Sequence, residues 1–194
     1  MGKAKGKWLL ALLALAFAAI LAAVLCMNFP MAEVHAETAV AKVTAATGET
    51  QTYEKLSDAF KAAKDGDTID ILQDASENSE ADLAYGYGEE GEGGVWMFIQ
   101  DKSLTINGNG HTLTSNTAAW AMYVIDADDT MDTLTINDLT IVSKVQKIQH
   151  PNTDLRGAPI VLFHGYTTLN LNNVTLDSTA TGVGNMAPLR VAGN

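Results

Sequence analysis

Four aspartates in seven residues, Asp126-Ala127-Asp128-Asp129-Thr130-Met131-Asp132, are the side chains in this sequence best suited to chemistry. Calcium takes several carboxylate and carbonyl oxygens, and a turn between two strands can supply them. Asp126, Asp128, Asp129 and Asp132 are therefore the candidate ligands of a calcium site. The run lacks the central glycine and distal glutamate of a helix-loop-helix calcium loop. Acidic surface turns also occur without metal, so both readings stand. No other motif requires a cofactor.

Candidate bases and nucleophiles are few. Arg156 lies in the loop Asn152-Thr153-Asp154-Leu155-Arg156-Gly157, and Arg190 lies in an apolar run. An arginine keeps its proton, so Arg156 reads as an ion-pair partner of Asp154 or a neighbour, and Arg190 as an outward strand residue. His111, His150 and His164 sit in separate turns and read as structural. No serine or cysteine nucleophile motif is present. The glycine-rich stretch 77–94 lacks the lysine and following helix of a phosphate cradle. Trp96 and Trp120 open corresponding apolar runs and read as core residues. No catalytic set emerges.

The elements that must position these residues are repeats. Thr133-Leu134-Thr135-Ile136-Asn137-Asp138-Leu139-Thr140-Ile141 alternates apolar and polar residues on both sides of Asn137-Asp138. Strict alternation marks a strand with one buried face, and Asn-Asp suits a bend with left-handed backbone. The phrase returns as Leu169-Asn170-Leu171-Asn172-Asn173-Val174-Thr175-Leu176. A looser copy is Leu104-Thr105-Ile106-Asn107-Gly108-Asn109-Gly110-His111-Thr112-Leu113. An apolar run precedes each copy: Val95–Ile99, Trp120–Ile125 and Pro159–Phe163. A fourth begins at Pro188. A unit of three short strands cannot bury its apolar face alone, but stacked units bury a continuous core. The expected fold is all-β, a parallel β-helix, with Leu104, Ile106, Leu134, Ile136, Leu139, Ile141, Leu169, Leu171, Val174 and Leu176 pointing inward. Asn107, Asn137 and Asn172 recur at one place and would stack as an amide ladder.

Upstream, Leu56, Ala59, Phe60 and Ala63 fall on one helical face. Thr52 is the expected N-cap, Glu54 suits the first turn, and Gly66 is the expected stop. This helix, about Glu54 to Lys64, is expected to cap the open first rung. Residues 77–94 read as an acidic, glycine-rich surface loop.

The first 36 residues have Lys3, Lys5 and Lys7, an apolar run from Trp8 to Met27, and Val34-His35-Ala36 before a cut after Ala36. That is the pattern of a secretory signal peptide, with an uncleaved membrane anchor as the rival reading. Leu25 is not the small residue that a lipid-modified Cys26 would need before it. The mature chain then has no cysteine and no disulfide, and stands by apolar burial alone. It keeps 9 basic and 22 acidic residues, a surface that repels nucleic acid and anionic lipid. The organisation is thus 1–36 signal peptide, 37–51 linker or entering strand, and 52–194 the N-terminal part of the domain. Within it, 52–66 is the capping helix, 77–94 the acidic loop and 95–194 the coils.

The helix, Gly66-Asp67-Thr68-Ile69 and the repeated phrases together resemble the start of a pectate-lyase-like right-handed β-helix, of the type found in secreted surface proteins of Gram-positive bacteria. The resemblance covers roughly Tyr53 to Asn194. It implies a right-handed parallel solenoid and leaves activity open, because that superfamily holds lyases, glycoside hydrolases and surface proteins without a known reaction. Its lyases hold calcium with aspartates and use a basic residue. The only arginines in this chain's repeat part are Arg156 and Arg190. Relatives usually have more coils, so the chain is expected to be completed by further residues or a partner subunit. Three readings follow: an adhesin-like module that binds glycans or cell-surface partners, a polysaccharide lyase or glycoside hydrolase, and a structural stalk.

Overall fold

The computed structural model describes residues 38–86, 94–128, 130, 132–145, 148–150, 153–155, 158–163, 168–178 and 187–192. Residues 1–36, expected to be a signal peptide, lie outside them, as do Asp129, Arg156 and His164. The chain is mostly β. It begins with β1 (Ala41–Thr44), β2 (Thr50–Tyr53) and the helix α1 (Leu56–Ala62). Next come β3 (Thr68–Ile71), β4 (Ala75–Glu77), β5 (Tyr85–Gly86) and β6 (Gly94–Gln100). Then follow β7 (Leu104–Asn107), β8 (Thr112–Ser115), β9 (Trp120–Ile125), β10 (Thr133–Asn137) and β11 (Thr140–Ser143). The last are β12 (Ile148–His150), β13 (Thr153–Leu155), β14 (Ala158–Phe163), β15 (Thr168–Asn172), β16 (Thr175–Asp177) and β17 (Leu189–Ala192).

Successive strands are dealt out to three sheets. β3, β7, β10 and β15 pair in parallel in one sheet, β4, β8, β11 and β16 in a second, and β6, β9, β14 and β17 in a third. Antiparallel pieces are added at the margins: β5 along β6, and the hairpin β12–β13 between β11 and β14. The register puts like on like. Ile69, Ile106, Ile136 and Leu171 are partners in one row, and Leu104, Leu134 and Leu169 in the next. A one-residue slip would turn each row outward, so the alternation fixes the pairing.

Six of the ten residues expected inside, Leu104, Ile106, Leu134, Ile136, Leu139 and Ile141, are buried. Leu169, Val174 and Leu176 are partly buried against the same core. Leu171 is 37% exposed although its register partner Ile136 is fully covered. The reason is position: β15 is the outermost strand of its sheet among the described residues, so nothing there stacks beyond it.

The N-terminal cap differs from expectation, while of the two readings of 37–51 the strand is found. The stretch 37–51 holds β1 and half of β2, which form a hairpin, and β1 lies antiparallel along β3. A helical cap on that edge is not seen, because this hairpin occupies the place. The helix instead buries Leu56, Ala59 and Phe60 in the core and packs mainly on β6. Thr52 is a strand residue and caps nothing; the N-cap is Lys55, with no side-chain cap bond. The helix stops at Ala63, which is extended, while Gly66 takes its positive φ of 79° in the following turn.

The amide ladder is present and longer than expected. Asn172 donates to Asn137 at 2.8 Å, Asn137 to Asn107 at 3.0 Å, and Asn107 to Asp70 at 2.9 Å. Lys42 closes the row with an ion pair to Asp70 at 2.8 Å. The bends beside it use left-handed backbone at Asn109, Asp138 and Asn173 (φ 54°, 50° and 54°), where a short polar side chain is tolerated.

Asp70 gives a pH prediction. Burial opposes its charge, but the bonds from Lys42 and Asn107 win and hold its carboxyl below its ordinary 3.8. A depressed folded value means stability that is present above pH 3.8 and lost as pH falls through the folded value. Wild type is expected to melt above Asp70→Asn near neutral pH, with the gap closing below about pH 4. A gap that stays constant across thermal melts from pH 7 to 3 would contradict the ladder's charged end.

A second polar row is fully buried. Glu77, Ser115 and Ser143 are register partners and each is 0% exposed. The Glu77 carboxylate accepts from the backbone N–H of Thr117 and of Ala118, both at 2.9 Å, and from the Thr117 hydroxyl. Residue 77 therefore belongs to the second sheet, where it pins the corner between β8 and β9, and not to a surface loop.

Candidate metal centre

β6 and β9 run in parallel with Gln100 opposite Ile125. The next residue on each strand is an aspartate, so Asp101 and Asp126 occupy equivalent places on stacked corners. Asp101 turns the chain with φ 48°. Its N–H donates to the Ile125 carbonyl at 3.1 Å. Its Oδ1 accepts the Ala127 N–H at 2.6 Å, and its Oδ2 accepts from Gln100 at 2.9 Å. The two corners are thereby tied to each other in both directions.

Asp128 closes a local turn. Its Oδ1 accepts from the Thr130 hydroxyl at 2.6 Å and from the Thr130 N–H at 3.1 Å. The Thr130 hydroxyl bond is the chief reason its carboxyl stays below the ordinary range. Asp126 is 1% exposed, and neither of its carboxylate oxygens meets a donor among the described residues, while its carboxyl lies against that of Asp128. One carboxylate oxygen each from Asp101, Asp126 and Asp128 lies within 4.8 Å of the others. Buried carboxylates are normally paired or hydrogen-bonded, so Asp126 is the unusual member.

Of the four candidate ligands, Asp126 and Asp128 are brought together. Asp132 is buried in the same connection but is not one of the three; its Oδ1 accepts from Ser103 Oγ at 3.1 Å. Burial is the first cause that pushes the Asp132 carboxyl up, and Asp126 is among the negative groups that add to it. Asp129 lies outside the described residues. Asp101 was missed. Its signal was an aspartate directly after an apolar strand in two successive units, visible once unit ends are aligned.

The remaining candidates whose side chains are described, Trp96, Trp120, His111 and Arg190, have structural surroundings. Trp96 and Trp120 are buried, but they do not correspond: the partner of Trp120 is Val95. Trp96 joins the main core, while Trp120 joins Val95, Ala119 and Val161 in a smaller one and stacks on Tyr123 at 4.9 Å. His111 Nδ1 lies 3.1 Å from Asp74 Oδ1. Arg190 is exposed on β17. A groove beside the helix start is lined in part by Glu54, Asp74 and Asp82, but each already has a partner. Thr38 donates to Glu54, Lys55 pairs with Asp82, and the Thr112 N–H donates to Asp74. That backbone bond, with the His111 contact, keeps Asp74 below its ordinary value and ionised, the wrong state for a general acid.

Comparison with protein-family models, with curated proteins and with solved structures finds no match to this chain. No helix among the described residues is long and apolar enough to cross a membrane.

Proposed function

We propose that the chain is a secreted or cell-surface right-handed parallel β-helix module of the pectate-lyase-like type, with a non-catalytic binding, adhesion or scaffold role towards glycans or cell-surface partners. The observation that carries the reading is the dealing of successive strands, in register, to three parallel sheets. A chain wound this way grows by stacking and varies its corners freely, which suits display of a surface more than enclosure of a reaction. The acidic balance supports the same reading, since it repels polyuronates within a Debye length of about 8 Å at physiological salt. In this reading residues 1–36 direct export and are removed, leaving Glu37 as the new N-terminus.

The test is incubation of purified Glu37–Asn194 with pectate, alginate and hyaluronan, with and without calcium, alongside an array of immobilised glycans. Retention on glycans without cleavage is the expected result. Unsaturated product absorbing in the ultraviolet, abolished by Arg156→Ala, would replace this reading with a lyase.

A further inference from the structure

We propose that Asp101, Asp126 and Asp128 hold one hard divalent cation of calcium's class, which clamps the corner after β6 to the corner after β9. The proposal stands on the site's geometry and does not depend on the role assigned to the module.

Three observations converge on it. First, the carboxylates come from two different turns of the chain, brought together by the parallel pairing of β6 and β9. Second, oxygens on opposite sides of a calcium ion at about 2.4 Å are about 4.8 Å apart, and the three carboxylate oxygens fall within that span of one another. Third, Asp126 is almost wholly enclosed, and neither of its oxygens meets a donor among the described residues. The neighbouring carboxylates are themselves held in place. Asp101 is fixed by Ala127 and Gln100, and Asp128 by Thr130. Two oriented acids beside a third that meets no donor among the described residues gather three carboxylates where a cation would bring them together.

The donor set selects the class of ion. All three ligands are carboxylates, with no histidine or cysteine in the group. Oxygen-only sets favour calcium, magnesium or manganese over zinc or copper. Calcium accepts an irregular shell of six to eight oxygens, whereas magnesium demands near-ideal octahedral geometry and gives up its water reluctantly. Three carboxylates on two corners, with Asp101 and Asp128 also bonded to the protein, fit the more permissive ion. The competing arrangement is a proton shared between Asp126 and a neighbouring carboxyl, which needs no metal.

The experiment uses the full chain, stripped with a chelator and dialysed. Calcium chloride is titrated in by calorimetry, and melting is followed in chelator, calcium or magnesium at constant ionic strength. The expected result is saturable binding of one calcium per chain, with a melting rise larger than magnesium gives. Asp126→Asn and Asp101→Asn each abolish both signals, while Asp132→Asn keeps them. If Asp126→Asn does not fold, Asp101→Asn carries the same comparison. The absence of saturable heat in wild type overturns the proposal. So does a calcium-induced rise that survives in Asp101→Asn, which would be general screening of an acidic surface. A melting point that rises on acidification and ignores calcium would assign the site to a shared proton instead.

Discussion

Phe60→Ala is expected to remove about 3–5 kcal/mol of stability, the range for emptying a buried phenylalanine site. Phe60 is 0% exposed at the centre of the helix's inward face, with Leu56, Ala59 and Ala63 around it. The loss should exceed the transfer cost of the ring, because the helix is fastened at its far end and cannot simply collapse into the space. Lys102 Nζ donates to the carbonyls of Phe60 and Ala63, at 2.8 and 2.7 Å. Those are acceptors at the helix C-terminus, where a cation is favoured. Burial pulls the Lys102 amine below its ordinary value, against the opposing charge of Asp67. The fastening is therefore itself a desolvated charge that depends on the helix staying in place. A urea midpoint unchanged by the substitution would mean that the helix is not docked.

Gly108→Ala is expected to cost about 3 kcal/mol or more, at or beyond the upper end for overpacking. A Cβ at this position would meet the Asp138 carbonyl oxygen at 2.4 Å and the Leu139 Cβ at 2.5 Å. Neither can move easily. The Asp138 carbonyl accepts the Gly110 N–H at 2.8 Å, and Leu139 is 1% exposed. The bend from β7 to β8 is two residues longer than the bend from β10 to β11, and its first residue must cross over Leu139. Gly110→Ala is the control. It meets nothing within 4 Å but has φ 80°, so it should lose only the about 1–2 kcal/mol of a left-handed residue. Equal costs at the two positions in denaturant melts would contradict the close approach.

The repeats were legible because their period is local. Alternation in Leu134–Ile141 and its copies is a property of a few adjacent residues, and it specifies both face and register. The amide ladder was legible for the same reason. Its first members, Asp70 and Lys42, were not, since an aspartate and a lysine carry no sign that they extend a row of asparagines. Glu77 looked like the start of an acidic loop; its partners at Thr117 and Ala118 lie some forty residues on and exist only when the strands stack. The β1–β2 hairpin was only half legible because Ala41 and Val43 are its only fully buried residues, with Tyr53 partly packed beside them, too little apolar pattern to tell an entering strand from a linker. The acidic corner was half legible. Asp126 and Asp128 are neighbours in sequence, whereas Asp101 enters from the preceding unit.

The central claim is that the chain stacks in parallel, with like residues on like. Methyl-to-methyl nuclear Overhauser contacts in selectively labelled protein test it most directly. Parallel stacking in the stated register predicts contacts of Leu104 with Leu134, and of Ile106 with both Ile69 and Ile136. A dominant Leu104–Ile136 contact paired with Ile106–Leu134 would mean antiparallel neighbours, and would contradict the stack and everything built on it.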